Sequence, residues 1–180
     1  MVSGMQGKGK RKNRVGVIPA RWGSTRFPGK SLASLCGKPM IQWVYERTAQ
    51  AGLDRLVVAT DDERIREAVE AFGGEVAMTR ADHPSGTDRV AEAAAAAGAD
   101  VVVNIQGDEP LIDPGLVDRL AGLLADDPGW DMATAAVPVT NPGDVEAASV
   151  VKVVTAGDGH ALYFSRSPIP HVRDGAPDPG

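Results

Sequence analysis

One cysteine, Cys36, is too few for an internal disulfide, and a lone small thiol is expected to be buried, in a reducing compartment. Histidine is scarce as well. His83, His160 and His171 lie far apart, so a His/Cys metal centre has no support. Aromatic residues make up only 4% of the chain, while Ala, Val and Gly are abundant, a balance that suits helices packed closely on a sheet. No apolar run approaches membrane-spanning length and no signal peptide is visible, so the expectation is a cytoplasmic protein with no membrane partner.

Acids are missing from residues 1–14, which carry Lys8, Lys10, Arg11, Lys12 and Arg14. The remainder is therefore more acidic than the formal net charge of −5 suggests. A basic start with glycines and no apolar periodicity reads as a disordered leader over 1–14. Without aromatics or a fold behind it, this leader does not suggest a nucleic-acid partner. The length fits one domain, expected over 15–173, followed by a flexible tail over 174–180 rich in Gly and Pro.

What is present is concentrated near the start. An apolar run over 15–18 reads as a buried strand, and it opens into a loop over 20–30 with two glycines and three cations, Arg21, Arg26 and Lys30. Glycines let backbone N–H groups approach an anion, and fixed cations neutralise it, so the loop suits a polyphosphate.

Beyond it, Pro39 marks a helix start, and Ile41, Val44, Tyr45 and Thr48 follow helical spacing up to Gly52. Residues 56–60 form a second strand. Ile65, Ala68, Val69 and Phe72 repeat as a helix stopped by Gly73 and Gly74, and 75–79 is a third strand. A polar loop is expected over 80–89, then an Ala-rich helix over 90–97 and the most continuous apolar strand over 101–105. The spacing predicts a helix over 116–124 and a strand over 132–139. Two paired strands, 150–154 and 161–164, are expected around a turn at 156–159.

Strands alternating with helices, and apolar on both faces, indicate a parallel sheet covered on both sides. In such folds ligands bind beyond the carboxyl ends of the strands. The polar motifs 20–30, 80–89 and 106–110 each follow a strand, which points to convergence on one edge.

Spacing argues against a P-loop. Five residues separate Gly23 from Gly29 where that motif needs four, and the helix begins well after Lys30. Pro28 also removes an N–H that a phosphate nest uses.

Six ordered stretches carry a resemblance. The first runs from Ile18-Pro19-Ala20-Arg21 through Ser24-Thr25-Arg26-Phe27-Pro28-Gly29-Lys30, followed by Gly37-Lys38-Pro39-Met40-Ile41 and Val58-Ala59-Thr60-Asp61. Next come Thr79-Arg80-Ala81-Asp82-His83 with Ser85-Gly86-Thr87-Asp88-Arg89, and Asn104-Ile105-Gln106-Gly107-Asp108-Glu109-Pro110. The last joins Val151-Lys152-Val153-Val154 to Tyr163-Phe164-Ser165-Arg166. Together they resemble the 3-deoxy-manno-octulosonate (Kdo) cytidylyltransferase, or CMP-Kdo synthetase, family. The opening stretch alone fits other cytidylyltransferases, such as those for sialic acid, and the Thr-Arg-Ala-Asp-His run points to Kdo.

The resemblance implies an α/β fold: a Rossmann-like nucleotidyltransferase with a mostly parallel sheet and helices on both faces. It implies CTP and Kdo as substrates, Mg²⁺ as cofactor and a homodimer for full-length members, with CMP-Kdo made for lipopolysaccharide. Ala20, Arg21, Ser24, Arg26 and Lys30 become nucleotide-binding, with Arg21 and Lys30 also stabilising the leaving pyrophosphate. Arg80, Asp82, Ser85, Gly86, Thr87 and Arg89 fall on the nucleotide-side loop, while Asp88 is better read as a charge at a helix N-terminus.

Asp108 is the expected catalytic metal ligand, or else a turn aspartate before Pro110. Gln106 is expected to bond the sugar or base, or to cap the strand end. Arg166 is the candidate for the Kdo carboxylate, because guanidinium pairs bidentately with carboxylates. Trp22, Trp43 and Trp130 read as packing residues, with Trp22 nearest the pocket.

Family members continue past the end of the match near Arg173. The expectation is thus a C-terminally truncated member without the later sugar-binding residues, a second metal-binding aspartate and much of the dimer contact. Two further readings stand beside it: a cytidylyltransferase for another acidic sugar, and a catalytically silent nucleotide-binding fragment.

Overall fold

Four short runs rich in Val, Ile, Leu and Ala build the central sheet of the computed structural model, which describes residues 11–23, 27–169, 171 and 173. They are β1 (Arg14–Pro19), β4 (Arg55–Thr60), β5 (Val76–Met78) and β6 (Val101–Asn104). All pair in parallel, in the order β5-β4-β1-β6. Central β1 registers Val17 against Val57 on one side and against Asn104 on the other.

Side-chain alternation along β1 and β4 divides the core in two. Ile18, Leu56 and Val58 pack with Ile41 and Val44 of α1 (Met40–Thr48), Ile65 and Val69 of α2 (Glu63–Ala71), and Val117 of α4 (Pro114–Asp126). Val15, Val17 and Ala59 take the other face, against Val90, Ala93 and Ala94 of α3 (Gly86–Ala96). Ile18, Ile41, Ile65 and Ile105 are fully buried, each contributing about 1.5–3 kcal/mol. The small alanines of α3 let that helix lie close to the strands.

Local chemistry sets the helix ends. Asp62, Ser85 and Asp113 each accept a backbone N–H of the helix that follows them. Gly73 and Gly98 stop α2 and α3 in the left-handed region, at φ 81° and 62°. A hairpin of β2 (Ser34–Leu35) and β3 (Lys38–Pro39) precedes α1, and Pro39 is the cap residue rather than part of the first turn.

Several expectations are corrected. Cys36 is exposed, not buried, because it and Gly37 form the two-residue turn of that hairpin, both at positive φ (50° and 85°). Helix α3 begins at Gly86, so 86–89 belong to a helix rather than a loop: Ser85 caps it and starts it one turn early. The basic start was expected to be disordered through residue 14, yet its described end is docked. Arg11 pairs with Asp54 at 2.8 Å, Lys12 donates to the Leu124 carbonyl and Arg14 opens β1. Residues 1–10 of that leader, and the expected tail over 174–180, lie outside the described residues.

The described residues divide after Ala133 into two units. The second holds α5 (Pro142–Glu146) and the antiparallel hairpin β7 (Lys152–Thr155) and β8 (Ala161–Ser165), as expected around the turn at 156–159. The strand expected over 132–139 is absent. Met132 is 74% and Val137 84% exposed, Pro138 offers no N–H, and no ladder partner lies among the described residues.

Candidate active site

The sheet sequence β5-β4-β1-β6 reverses direction at β1: the chain runs outward through β4 and β5, then returns to place β6 on β1's other side. Such a switch point leaves a crevice beyond the strand ends. The polar motifs enter it already in register. Beyond the strands proper, Ala20 donates to the Ala59 carbonyl, Thr79 to that of Thr60 and Ile105 to that of Val17, each at 2.9 Å. Each motif thus leaves the sheet from a fixed point.

The first motif turns sharply after Ala20. The Gly29 N–H donates to the Trp22 carbonyl at 3.0 Å, closing the loop on itself. Gly29 sits at φ 69°, and a β-carbon there would lie 2.9 Å from the Trp22 ring, so only glycine fits without strain. The Trp22 ring also carries the Arg64 guanidinium, 3.5 Å from the ring centroid. Arg64 also pairs with Asp62 at 2.6 Å; its hydrogen bond chiefly holds the Asp62 carboxyl below the ordinary range. The expected packing role of Trp22 is therefore a clamp between the loop and α2. Sequence alone did not single out Arg64.

The third motif approaches the first closely. A β-carbon on Gly107 would lie 3.2 Å from the Pro19 carbonyl, which explains the glycine. The next residue, Asp108, meets Lys30: the ammonium lies 2.5 Å from Oδ2. Both side chains stay accessible, at 41% and 48% exposure. Gln106 is exposed beside them and its carbonyl accepts the Glu109 N–H. Arg21 and buried Ala20 stand at the exit of β1. Ser24 and Arg26 lie outside the described residues.

The second motif is shaped by α3. Ser85 is spent as the helix cap: its hydroxyl accepts the Asp88 N–H and donates to the Asp88 carboxylate. Asp88 is thus an N-terminal helix charge, as read from the sequence. Gly86 lies against Pro19, and Thr87 is exposed. Arg89 points inward, 4% exposed. Its guanidinium donates to the Thr79 hydroxyl and stands 2.9 Å from Asp61, whose Oδ1 nonetheless has no aligned hydrogen bond. Arg89 therefore braces the ends of β4 and β5 against α3.

Outside this brace, Arg80 pairs with Asp82 at 3.0 Å, both largely exposed. The Arg80 N–H and the His83 ring meet the same oxygen of Glu92, and His83 holds the Glu92 carboxyl below its ordinary range. Sequence reasoning missed Glu92 and Asp61. The signal was the spacing Ser85, Arg89, Glu92, which puts three polar side chains on one face of α3.

Arg166 belongs to the second unit. Its guanidinium donates to the Ala148 carbonyl at 2.9 Å, and its own carbonyl accepts from the buried Lys152 ammonium, which also bonds Ala147 and Val150. Among the described residues no three His, Cys, Asp or Glu side chains gather as a metal site, and no helix is long and apolar enough to cross a membrane.

Residues 15–177 match the family described as Cytidylyltransferase. A 3-deoxy-manno-octulosonate cytidylyltransferase of Syntrophotalea carbinolica is 57% identical over 163 residues, covering 90% of this chain and 65% of that protein. The one from Syntrophobacter fumaroxidans is 58% identical, covering 91% and 67%. This chain thus spans about two thirds of the length of such curated relatives. A solved CMP:2-keto-3-deoxy-manno-octonic acid synthetase complexed with CTP superimposes with TM-score 0.81 at 48% identity, over 90% of this chain and 67% of that one. A 4-diphosphocytidyl-2C-methyl-D-erythritol synthase shares the fold at 13% identity, TM-score 0.58.

Proposed function

This chain belongs to the cytidylyltransferase family, and from that premise we propose that it serves transfer of CMP from CTP to the anomeric hydroxyl of Kdo, with release of pyrophosphate. The observation that carries the reading is the meeting of Lys30 and Asp108 at the switch point. A cation from the loop after β1 and a carboxylate from the loop after β6 stand at one crevice, where a metal-bound triphosphate needs both.

The sugar oxygen attacks the α-phosphorus, the bond from that phosphorus to the bridging oxygen breaks, and pyrophosphate departs in line. Positioning and charge stabilisation dominate such a transfer. Lys30 and Arg21 hold the phosphates and offset charge on the departing pyrophosphate. Arg26 belongs to the same loop. Trp22 fixes the loop's shape from behind. Arg80 and Asp82 read the base, while Gln106 contacts sugar or base.

Asp108 is the residue that would hold Mg²⁺. A single hard carboxylate fits that ion, which takes one or two carboxylates and completes its shell with phosphate oxygens and water. When bound, the metal neutralises charge on the phosphates. Arg166 keeps the role the family resemblance implies, a partner for the sugar carboxylate. Use of CTP, a nucleotide of the cytoplasm, is what supports a cytoplasmic location for this reaction.

The test is pyrophosphate release from CTP and Mg²⁺ with Kdo, with sialic acid and with no sugar. Release with Kdo alone is expected. Release with sialic acid instead would reassign the sugar, and CTP binding without release under any condition would leave a nucleotide-binding unit.

A further inference from the structure

We propose that Glu92 is a positioning residue for nucleotide selection, acting through His83 and the Arg80 main chain to set the loop that presents Arg80 and Asp82. The inference rests on the nucleotide reading above and adds to it a residue that makes no contact with the base.

The loop between β5 and α3 runs from Thr79 to Ser85, and its two ends are fixed: Thr79 by the sheet ladder and by Arg89, Ser85 by capping the helix. Between them, one oxygen gathers the chain. Glu92 Oε2 accepts the Arg80 N–H at 3.3 Å and bonds the His83 ring nitrogen Nε2. The His83 side chain is 7% exposed, so the ring is a polar group almost wholly withdrawn from water. A buried imidazole without its partner is costly, so the loop stays where Glu92 holds it.

What this leaves outside is informative. Arg80 and Asp82 are 68% and 76% exposed and pair with each other, a donor and an acceptor side by side on an anchored backbone. Cytosine offers an amino donor where uracil offers a carbonyl acceptor, so telling them apart needs donor and acceptor at fixed places. A loop free to shift exchanges one pattern for the other. The carboxylate two turns into α3 is thus the element that makes the pair selective.

The experiment measures binding of CTP and of UTP to the full chain by calorimetry, for wild type, Glu92→Ala, Glu92→Gln and His83→Asn. Amide exchange at Arg80 and the melting temperature are followed in parallel. Glu92→Ala is expected to weaken CTP about tenfold, to narrow the CTP-to-UTP ratio by a similar factor and to speed Arg80 exchange. Glu92→Gln keeps an acceptor oxygen and is expected to restore most of the ratio; His83→Asn follows Glu92→Ala in milder form.

Unchanged affinity and ratio in Glu92→Ala would overturn the role. So would equal losses for both nucleotides that follow the melting temperature, which mark a merely structural residue. A wild-type chain that binds no CTP overturns the nucleotide reading and this role with it, whereas CTP binding indifferent to Glu92 overturns this role alone.

Discussion

The Lys30 ammonium stands 2.5 Å from the Asp108 carboxylate although 78 residues separate them. Each group is the other's partner, and on the proposed reading phosphate and metal would take their places. Replacing Asp108 by Asn keeps the size and removes the charge. Turnover is expected to fall by about 100-fold or more, with CTP affinity much less affected, read from kcat and from calorimetry.

The same pair makes a prediction for metal alone. Lys30→Met removes the cation that shares the carboxylate, so Mn²⁺ without nucleotide is expected to bind more tightly than in wild type. CTP is expected to bind about tenfold or more weakly. Electron paramagnetic resonance titration with Mn²⁺ reads the first effect and calorimetry the second. Mn²⁺ affinity unchanged by the substitution would contradict the shared carboxylate.

Gly29→Ala places a methyl group against the Trp22 ring at a positive φ of 69°. The expected cost is about 1–2 kcal/mol in urea denaturation, with a change in Trp22 emission as its stack with Arg64 loosens.

Arg89→Met leaves Asp61 beside an apolar neighbour and Thr79 without its donor. Breaking a buried pair from one side costs about 3 kcal/mol, and Arg89→Lys is expected to recover only part, since an ammonium does not span both partners. Midpoints of urea unfolding at neutral pH give the comparison.

Acid weakens the clamp at Asp62. Its carboxyl is lowered from an ordinary value of 3.8, first by the Arg64 side chain and then by backbone N–H groups. A carboxyl lower in the folded than in the unfolded chain stabilises above the unfolded value and loses that contribution as pH falls through the folded one. Asp62→Asn keeps a cap oxygen. Its stability deficit is therefore expected to be largest near neutral pH and to fade as pH falls through the lowered value of the folded carboxyl.

Much of the fold follows from periodicity. The strands at 15–18, 56–60 and 101–105 are nearly continuous apolar runs, and buried parallel strands have few other ways to be written. Convergence of the three polar motifs on one edge followed from strand order and direction. The strand expected at 132–139 shows where this reasoning ends: its alternation is right, but a strand exists only through its neighbour. Cys36 was misplaced because composition describes an average thiol, whereas its position is set by turn geometry with Gly37. In the site, Lys30 and Asp108 were legible as chemistry following a strand. Asp61 and Arg64 were not, because Arg89 and Trp22 reach them from other segments, and Glu92 was marked only by its helical spacing from Ser85 and Arg89.

The strand pairing that brings β6 onto β1 matches Arg14 with Val101, after β4 and β5 have joined the other side. A nascent chain can complete the three-stranded half before residue 101 has been added, yet that half holds Lys30 without its carboxylate. Closing so long a loop carries the larger entropic penalty, so β6 joins β1 at a greater cost in chain entropy than β4 does. The salt link between the two loops therefore doubles as a register of that pairing: it forms once β6 has been brought onto β1.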